Sequence, residues 1–226
     1  MITSTFALLL LSTLVASADE VRVVKDVDYV DGEDYEKGKD RLDLYFPKGA
    51  KDVPVVVFFH GGGLRQGDKS ECEHVGRAFA GQGVGAVAVN YRLSPGVAHP
   101  EHAEDAARSV AWVRQHVKEY GGNPGKIFLA GHSAGGYLVS LLSTDLRYLK
   151  AQGLAKNDIA GVIPISGFFW VEKVAPDRPK DVWGADPKLW PEASPAKYIS
   201  SGAPPTLFLY ADGDDEWRRQ QNEEIA

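Results

Sequence analysis

Five short apolar runs, separated by stretches of helical character, most constrain the folds open to this chain. The runs occupy residues 55–59, 85–89, 127–130, 161–165 and 206–210. Strands whose successive side chains are all apolar are buried on both faces, as the strands of a parallel sheet are. We therefore predict five central strands of a parallel sheet.

The segments around these runs predict the rest of the fold. Residues 21–29 and 42–46 alternate apolar with polar side chains, which is typical of strands that face solvent on one side. Ser70 and Glu73 fit a capping box at a helix start, and apolar residues recur at helical spacing over 106–117. Strands alternating with helices, after antiparallel strands, predict an α/β fold with a doubly wound, mostly parallel sheet.

Composition limits the class of protein and its partners. The 226 residues are 44% hydrophobic and 25% charged, without repeats, low-complexity tracts or long charge runs, so one globular domain is expected. A net charge of −6 is the wrong sign for neutralising phosphates, which argues against a nucleic-acid partner. The lone Cys72 cannot form an internal disulfide, and we expect an ordinary, partly buried thiol.

The first 18 residues, 1–18, predict a secretory signal peptide. The apolar run over 6–15 is too short to span a bilayer and is followed by the small residues at 16–18. Cleavage before Asp19 would leave residues 19–226 as the mature domain, which we expect to be secreted or periplasmic, without a stable membrane span. A buried N-terminal helix and a membrane anchor are the alternatives.

The first motif that carries chemistry is His60-Gly61-Gly62-Gly63, directly after the run at 55–59. Glycines permit backbone conformations closed to other residues and let N–H groups approach a ligand. A phosphate-binding loop is a rival interpretation, but the Gly-Lys-Ser/Thr that it requires does not follow. A plain flexible turn is the structural alternative.

The second motif is the G-x-S-x-G sequence formed by Gly131, Ser133 and Gly135. It follows the apolar run at 127–130 and precedes a helical run at 137–142. In that setting a strained strand-to-helix turn holds the serine hydroxyl clear of the sheet. The first turn of the helix also directs unpaired N–H groups toward negative charge. The pattern predicts an exposed nucleophile at Ser133.

The third motif is an acidic turn over 212–216, after the run at 206–210. A solvated loop and a weak calcium site are alternatives, although the full spacing of an EF-hand loop is absent. Chain order favours a catalytic acid, because a glycine-rich loop, a nucleophile elbow and then an acid after a later strand is the order expected for an α/β-hydrolase.

These motifs together resemble the α/β-hydrolase esterases and lipases with an HGGG oxyanion loop. That group includes hormone-sensitive-lipase-like enzymes and secreted bacterial carboxylesterases of the feruloyl- or acetyl-esterase type. The resemblance covers most of the predicted mature chain. The matching segments are HGGGLRQGDKS at 60–70, NYRLSP at 90–95, HPEHAEDA at 99–106, GHSAGG at 131–136 and PPTLFLYADGD at 204–214.

The resemblance implies a serine carboxylic-ester hydrolase that acts on small acyl or aromatic esters through an acyl-Ser133 intermediate. It places the oxyanion-hole amides on Gly62, Gly63 and Ala134. Each such donor is worth roughly 10²–10³ in rate. The residues that support the two motifs are His60, Gly61, Gly131 and Gly135. No cofactor and no metal are implied.

The resemblance places the triad acid on Asp214, three residues beyond Ala211, with Asp212 and Asp215 as near alternatives. The triad histidine should follow the acid. All six histidines precede Asp214, at positions 60, 74, 99, 102, 116 and 132. His99 and His102 are placed to line the mouth of the site. The resemblance thus implies a fold that lacks its last strand and helix and the catalytic base.

Two interpretations of different classes follow. The chain is a C-terminally incomplete copy of a secreted serine esterase, or it is a non-catalytic relative that binds esters or a partner. The first is favoured because residues 220–226 stop inside an apparent helix without a stop signal. Arylformamidases, which hydrolyse an amide, are the chemical alternative. Trp170, Trp183 and Trp190 are either a lid or acyl-pocket wall, or packing.

Overall fold

The computed structural model describes residues 20–32, 35–174, 179–200 and 202–226. The predicted signal peptide, 1–18, lies outside the described residues and stays a prediction. Across the described ranges, no helix combines the length and the apolar character needed to cross a membrane.

The described residues form one sheet with helices on both faces. Its strands are β1 (Val21–Asp28), β2 (Arg41–Pro47), β3 (Val53–Phe59), β4 (Gly85–Val89), β5 (Gly122–His132) and β6 (Gly161–Ile165). The α-helices are α1 (Glu73–Gly81), α2 (Glu101–His116), α3 (Ala134–Thr144), α4 (Arg147–Ala151), α5 (Pro179–Val182) and α6 (Glu216–Ile225). Short 3₁₀ helices lie at Glu36–Gly38, Lys69–Cys72, Val117–Tyr120, Lys156–Asp158, Val171–Lys173, Pro187–Ala193 and Pro195–Tyr198.

The strand order is β1-β2-β4-β3-β5-β6. Strands β4, β3, β5 and β6 run parallel, whereas β1 and β2 are antiparallel to their neighbours. This topology confirms the predicted fold class, a doubly wound and mostly parallel α/β sheet. The crossovers bring the carboxyl ends of β3, β5 and β6 to one edge, where ligand sites of such sheets lie.

Alternate side chains of the central strands pack into two layers. Val55, Val57 and Phe59 of β3 belong to the larger apolar cluster, which contains the buried apolar side chains of α2 and α3. Val56 and Phe58 point the other way, into a smaller cluster with Tyr45. Burial on both faces explains why these strands have continuous apolar sequences.

The expectation that residues 42–46 face solvent on one side is wrong. Leu42, Leu44, Tyr45 and Phe46 are each at most 1% exposed. Strand β2 lies inside the sheet, between β1 and β4, and α1 covers its second face. Gly76 of α1 lies against the Tyr45 ring so closely that a Cβ there would be 2.3 Å from Cδ2.

The predicted capping box at Ser70 and Glu73 is also wrong. The Asp68 side chain caps the Lys69–Cys72 turn by accepting from the Ser70 N–H at 3.0 Å. Helix α1 begins only at Glu73, whose carboxylate instead binds Lys25 and Arg77 at 2.7 and 2.8 Å. The helix predicted over 106–117 corresponds to α2, which begins earlier.

The fifth predicted strand, at 206–210, forms only isolated parallel bridges, Val162 with Thr206 and Ile165 with Leu209. The backbone follows β6, since the Leu209 N–H donates to the Pro164 carbonyl at 3.1 Å. Pro164 has no N–H to donate in return, so the ladder is interrupted there. Residues 206–210 therefore lie at an exposed sheet edge rather than in a buried strand.

Candidate active site

Ser133 occupies a strained turn between β5 and α3. Its φ of 53° and ψ of −109° lie in a region that non-glycine residues rarely adopt, and its N–H donates to the Ile165 carbonyl at 2.8 Å. Gly131 and Gly135 leave space for this turn, because a Cβ on Gly135 would be 2.0 Å from the Phe59 carbonyl oxygen. The strand, sharp turn and helix that the second motif predicts are all present.

The glycine loop after β3 adopts a conformation that requires glycine. Gly62 and Gly63 have φ of 105° and 65°, and Leu64 is also left-handed at 62°. A Cβ on Gly62 would lie 2.1 Å from the Gln66 carbonyl oxygen, so any larger residue would open the loop. The loop closes through N–H donors of the following residues to the Gly62 carbonyl.

This loop lies against the Ser133 turn. A Cβ built on Gly61 would be 3.5 Å from the Ser133 Cβ. The Gly62 and Gly63 N–H groups donate no hydrogen bond to any group in the described ranges. Ala134 begins α3, where the first N–H groups have no acceptor within the helix. The three predicted amides therefore lie in the two segments that meet at the Ser133 turn, and they donate no hydrogen bond to the described residues.

His60 is buried beneath the glycine loop and packs against Tyr91. It is 2% exposed and stacks on the Tyr91 ring at 4.4 Å, and its Nδ1 lies 2.7 Å from the Gly61 carbonyl, to which it donates. Tyr91 donates to the His60 carbonyl at 2.8 Å. Burial lowers the pKa of His60 to about 4, so the imidazole is neutral. His60 packs the loop in place and forms no hydrogen bond with Ser133 among the described residues.

The far end of the loop is fixed to β4 through Asn90, which begins the NYRLSP segment. The Asn90 side chain accepts from the Lys69 N–H at 2.7 Å and donates to Asp68 and to the Gly38 carbonyl at 2.9 and 3.0 Å. The Lys69 ammonium is in turn paired with buried Asp43 at 2.6 Å. These bonds hold the segment after the glycines rigidly on the sheet.

Asp214 is the acidic residue of the third motif that faces the end of β6. Its carboxylate accepts from Ser166 Oγ at 2.6 Å and from the Ala211 N–H at 3.1 Å. Burial raises the pKa of Asp214, but these hydrogen bonds and the positive charge of Arg218 outweigh it, and the pKa lies below its usual range. Asp212 and Asp215 are exposed on the same turn.

No histidine forms a hydrogen bond with Ser133 Oγ in the part of the chain that the structure describes. His132 is exposed beside the elbow. His102 is 1% exposed and contacts Ser94 Oγ at 3.1 Å, so the expectation that it lines the site mouth is wrong. His99 contacts Tyr148 at 3.2 Å, at a separate surface cavity of about 520 Å³. The remaining two, His74 and His116, lie on α1 and α2.

The side chain that does contact Ser133 is Arg218, which sequence reasoning missed. One guanidinium nitrogen donates to Ser133 Oγ at 3.2 Å and also to the Ser166 carbonyl. Arg218 lies in the first turn of α6, in a strongly polar segment that is typical of a solvated surface. Its sequence context contains no signal for a buried site residue; the contact arises from the packing of α6 on the end of β6.

The tryptophans divide between packing and the site margin. Trp183 is 7% exposed and donates to Tyr137 Oη at 3.1 Å, within an aromatic cluster that includes Phe168. Trp190 donates to the Gly184 carbonyl at 3.0 Å. These contacts favour packing over a lid for both residues. Trp217, next to Arg218, extends the cluster toward the site.

Several curated relatives with similar sequences are esterases. The probable carboxylic ester hydrolase LipM of Mycobacterium tuberculosis is 31% identical over 181 residues, which are 72% of this chain and 41% of LipM. Carboxylesterase NlhH of the same species is 38% identical over 105 residues, 44% of this chain and 32% of NlhH. The chain thus spans less than half the length of these relatives.

Solved esterases have the same fold. The hyperthermophilic esterase of Pyrobaculum calidifontis is 26% identical with a TM-score of 0.74, over 92% of this chain and 72% of that chain. Esterase B of Lactobacillus rhamnosis, inhibited by a C6-C4 SN3 compound, superimposes with a TM-score of 0.79 at 22% identity, over 92% of this chain and 72% of that chain. The fold of this chain is that of the α/β-hydrolase esterases.

The family model for BD-FAE matches residues 42–226, from the second residue of β2 to Ala226, which follows α6. This chain belongs to the BD-FAE family.

Proposed function

We propose that this chain carries the nucleophile and oxyanion hole of a serine carboxylic-ester hydrolase. The observation that carries the proposal is the strained Ser133 turn, against which the glycine loop packs. The amides of Gly62, Gly63 and Ala134 in these two segments donate no hydrogen bond to the described residues. Donors held in place before the reaction stabilise charge that develops on a carbonyl oxygen without reorganisation during the step. The substrate class is an ester with a small acyl or aromatic group.

The proposed reaction has two steps. Ser133 Oγ attacks the ester carbonyl, its proton passes to a base, and the oxyanion forms between the amides. The intermediate collapses, the carbon–oxygen bond to the alcohol breaks, and the alcohol leaves with a proton. Water then attacks acyl-Ser133 by the same route and releases the acid.

Asp214 is the proposed triad acid. Its lowered pKa keeps the carboxylate charged, as is needed to orient and stabilise an imidazolium. The imidazole itself is not among the groups that the described residues place at Ser133. The proposed full reaction therefore needs a histidine from outside these residues, or a base from solution.

A phosphonate probe tests the nucleophile without requiring turnover. We expect a fluorophosphonate to form one adduct on Ser133, identified by mass spectrometry of the digested protein. In this reaction Ser133 Oγ bonds to phosphorus, the phosphorus–fluorine bond breaks, fluoride leaves and the hydroxyl proton passes to water. Ser133→Ala should carry no adduct, whereas Ser70→Ala, on an exposed turn, should react as the unmodified chain does.

Two outcomes would contradict the assignment. An adduct that persists in Ser133→Ala means that another nucleophile reacts. A folded chain that forms no adduct supports the interpretation as a non-catalytic binding protein. Where the adduct forms, comparing a p-nitrophenyl ester with a formanilide distinguishes ester hydrolysis from the arylformamidase-like alternative.

Gly62→Ala should slow formation of the Ser133 adduct by about 10²-fold, since it removes the alignment of oxyanion donors. The added Cβ would lie 2.1 Å from the Gln66 carbonyl oxygen and must displace the loop. Gly49→Ala is the matched control, because Gly49 is also left-handed, at φ 71°, but has nothing within 4 Å of a Cβ. Equal rates for the two variants would show that the loop does not bind the reacting oxygen.

A further inference from the structure

Arg218 is held in a fixed position beside the nucleophile. Its backbone N–H donates to the Asp215 carbonyl at 2.9 Å in the first turn of α6. Asn222, one turn later, donates to the carbonyls of both Arg218 and Gly167 at 2.9 Å. The guanidinium carbon lies 4.7 Å from the centre of the Trp217 ring. The helix, the neighbouring loop and an aromatic face therefore all restrict where this side chain points.

The guanidinium bridges the nucleophile to the loop that holds the proposed acid. It donates to Ser133 Oγ at 3.2 Å and to the Ser166 carbonyl, while Ser166 Oγ donates to Asp214 at 2.6 Å. Ser166 itself has a left-handed φ of 49°. A chain of contacts thus leads from Asp214 to Ser133 through Arg218, across 85 residues of sequence between Ser133 and Arg218.

Arg218 is buried, so its positive charge acts strongly on neighbouring groups. The residue is 8% exposed, so water screens the guanidinium little. Its charge contributes to the lowered pKa values of both neighbouring titratable groups, Asp214 and His132, although burial is the larger effect on His132. A hydrogen bond from a charged donor is about twice as strong as one between neutral groups.

We infer that Arg218 is a further catalytic residue, which stabilises the alkoxide of Ser133 through the hydrogen bond from its guanidinium to Oγ. This inference rests on the proposed function, because it concerns the same nucleophile. A serine is a weak nucleophile until its proton is removed. A buried cation at hydrogen-bond distance favours the ionised Oγ, so water or hydroxide removes the proton at lower pH than from an isolated serine.

Arg218 cannot act as the general base, and this limits it to stabilising charge. A guanidinium is always protonated in proteins, so Arg218 does not accept the Ser133 proton and does not replace a histidine base. It lowers the free energy of the negative oxygen, and the proton still leaves to solvent or to another base. Stabilisation of the negative oxygen by Arg218 and removal of the proton by a base are therefore separate contributions.

The rate of fluorophosphonate labelling of Ser133 tests this role in the 226-residue chain. We expect Arg218→Gln to react about 10²-fold more slowly than the unmodified chain, and Arg218→Lys to recover part of the rate. The pH profile should change shape, with the rate of Arg218→Gln still rising at a pH where the unmodified chain has reached a plateau. A merely structural role would lower the whole profile without shifting it.

Two further measurements separate charge from folding. Millimolar guanidinium, well below denaturing concentration, should accelerate labelling of Arg218→Ala and leave the unmodified chain unaffected. Arg77→Gln removes an equivalent charge from the surface of α1 and should react normally.

An unchanged rate in Arg218→Gln, or a faster one, overturns the inference while Ser133 remains the nucleophile. A faster rate would show that the contact restrains Ser133. If the unmodified, folded chain forms no adduct at Ser133, the proposed function itself fails. The two failures are therefore distinguishable.

Discussion

The 226-residue chain should hydrolyse p-nitrophenyl acetate about 10²–10⁴-fold more slowly than a serine esterase with a positioned base, and added imidazole should accelerate it through Ser133. No imidazole contacts Ser133 Oγ among the described residues, and Arg218 cannot accept the proton. An oxyanion hole and substrate binding alone still leave a rate roughly 10³–10⁴-fold above that in water. The missing step is proton removal, which a base in solution can supply.

The measurement is the difference in rate between the unmodified chain and Ser133→Ala at each imidazole concentration. This difference removes the direct reaction of imidazole with the ester. We expect it to rise with imidazole and to follow the neutral form of the base as the pH is varied. A large difference without imidazole would mean that a resident group already acts as base. His132, exposed beside the elbow, would then be the first histidine to substitute.

The turns that the site motifs predict are present in the structure because the backbone conformations they require are set locally. Gly62, whose Cβ would lie 2.1 Å from the Gln66 carbonyl oxygen, and Gly131, whose Cβ would lie 2.4 Å from the Gly135 carbonyl carbon, each meet a requirement set by a few consecutive residues. Such requirements select glycine at fixed positions within each motif, so they are visible as a sequence pattern. The apolar runs that became β3, β4, β5 and β6 are similar, because burial on two faces admits few polar side chains.

Other features depend on contacts between distant segments and leave no pattern. Whether residues 206–210 form a strand depends on Pro164 of β6, which has no N–H to donate to the ladder. Whether residues 42–46 face water depends on α1 packing over Tyr45. In both cases the period of the sequence is compatible with the structure but does not determine it.

The contact between Ser133 and Arg218 shows the same limit at the site. Arginine in a polar helix is normally a surface residue. Only the placement of α6 on the loop after β6 brings this guanidinium, 85 residues along the chain, to Ser133. A histidine base is expected from chain order, whereas a cation in this position is expected from nothing in the sequence.

Two buried histidines should make the folded chain sensitive to mild acid. His60 and His102 are 2% and 1% exposed, and burial lowers their pKa values to about 4 and about 3. In the unfolded chain a histidine has a pKa of about 6.5. Between these values the unfolded state binds protons that the folded state excludes, so the free energy of unfolding decreases as the pH falls.

The size of the effect is large for a single domain. Each histidine contributes up to about 1.4 kcal/mol per pH unit, or about 2 kcal/mol at pH 5, and the two together about 4 kcal/mol. His99, whose pKa burial also lowers to about 4, adds to the same dependence. The whole free energy of unfolding of an ordinary domain is only about 5–15 kcal/mol. Carboxylates with lowered pKa values, such as Asp214, become protonated mainly below about pH 4, and only there is their contribution to the free energy of unfolding lost. The change in this free energy between pH 7 and pH 5 therefore comes from the histidines.

Urea unfolding at pH 7 and at pH 5, followed by tryptophan fluorescence, measures this dependence. We expect the free energy of unfolding to fall by at least about 4 kcal/mol across the interval, and by about 2 kcal/mol less in His102→Gln. His74→Gln, which changes a histidine on the surface helix α1, should keep the full dependence. Equal stability at both pH values would mean that His60 and His102 become protonated in the folded chain, which requires water or a carboxylate to reach them. The loop that His60 supports would then be open enough to admit a proton, and the amides of Gly62 and Gly63 would not be held rigidly.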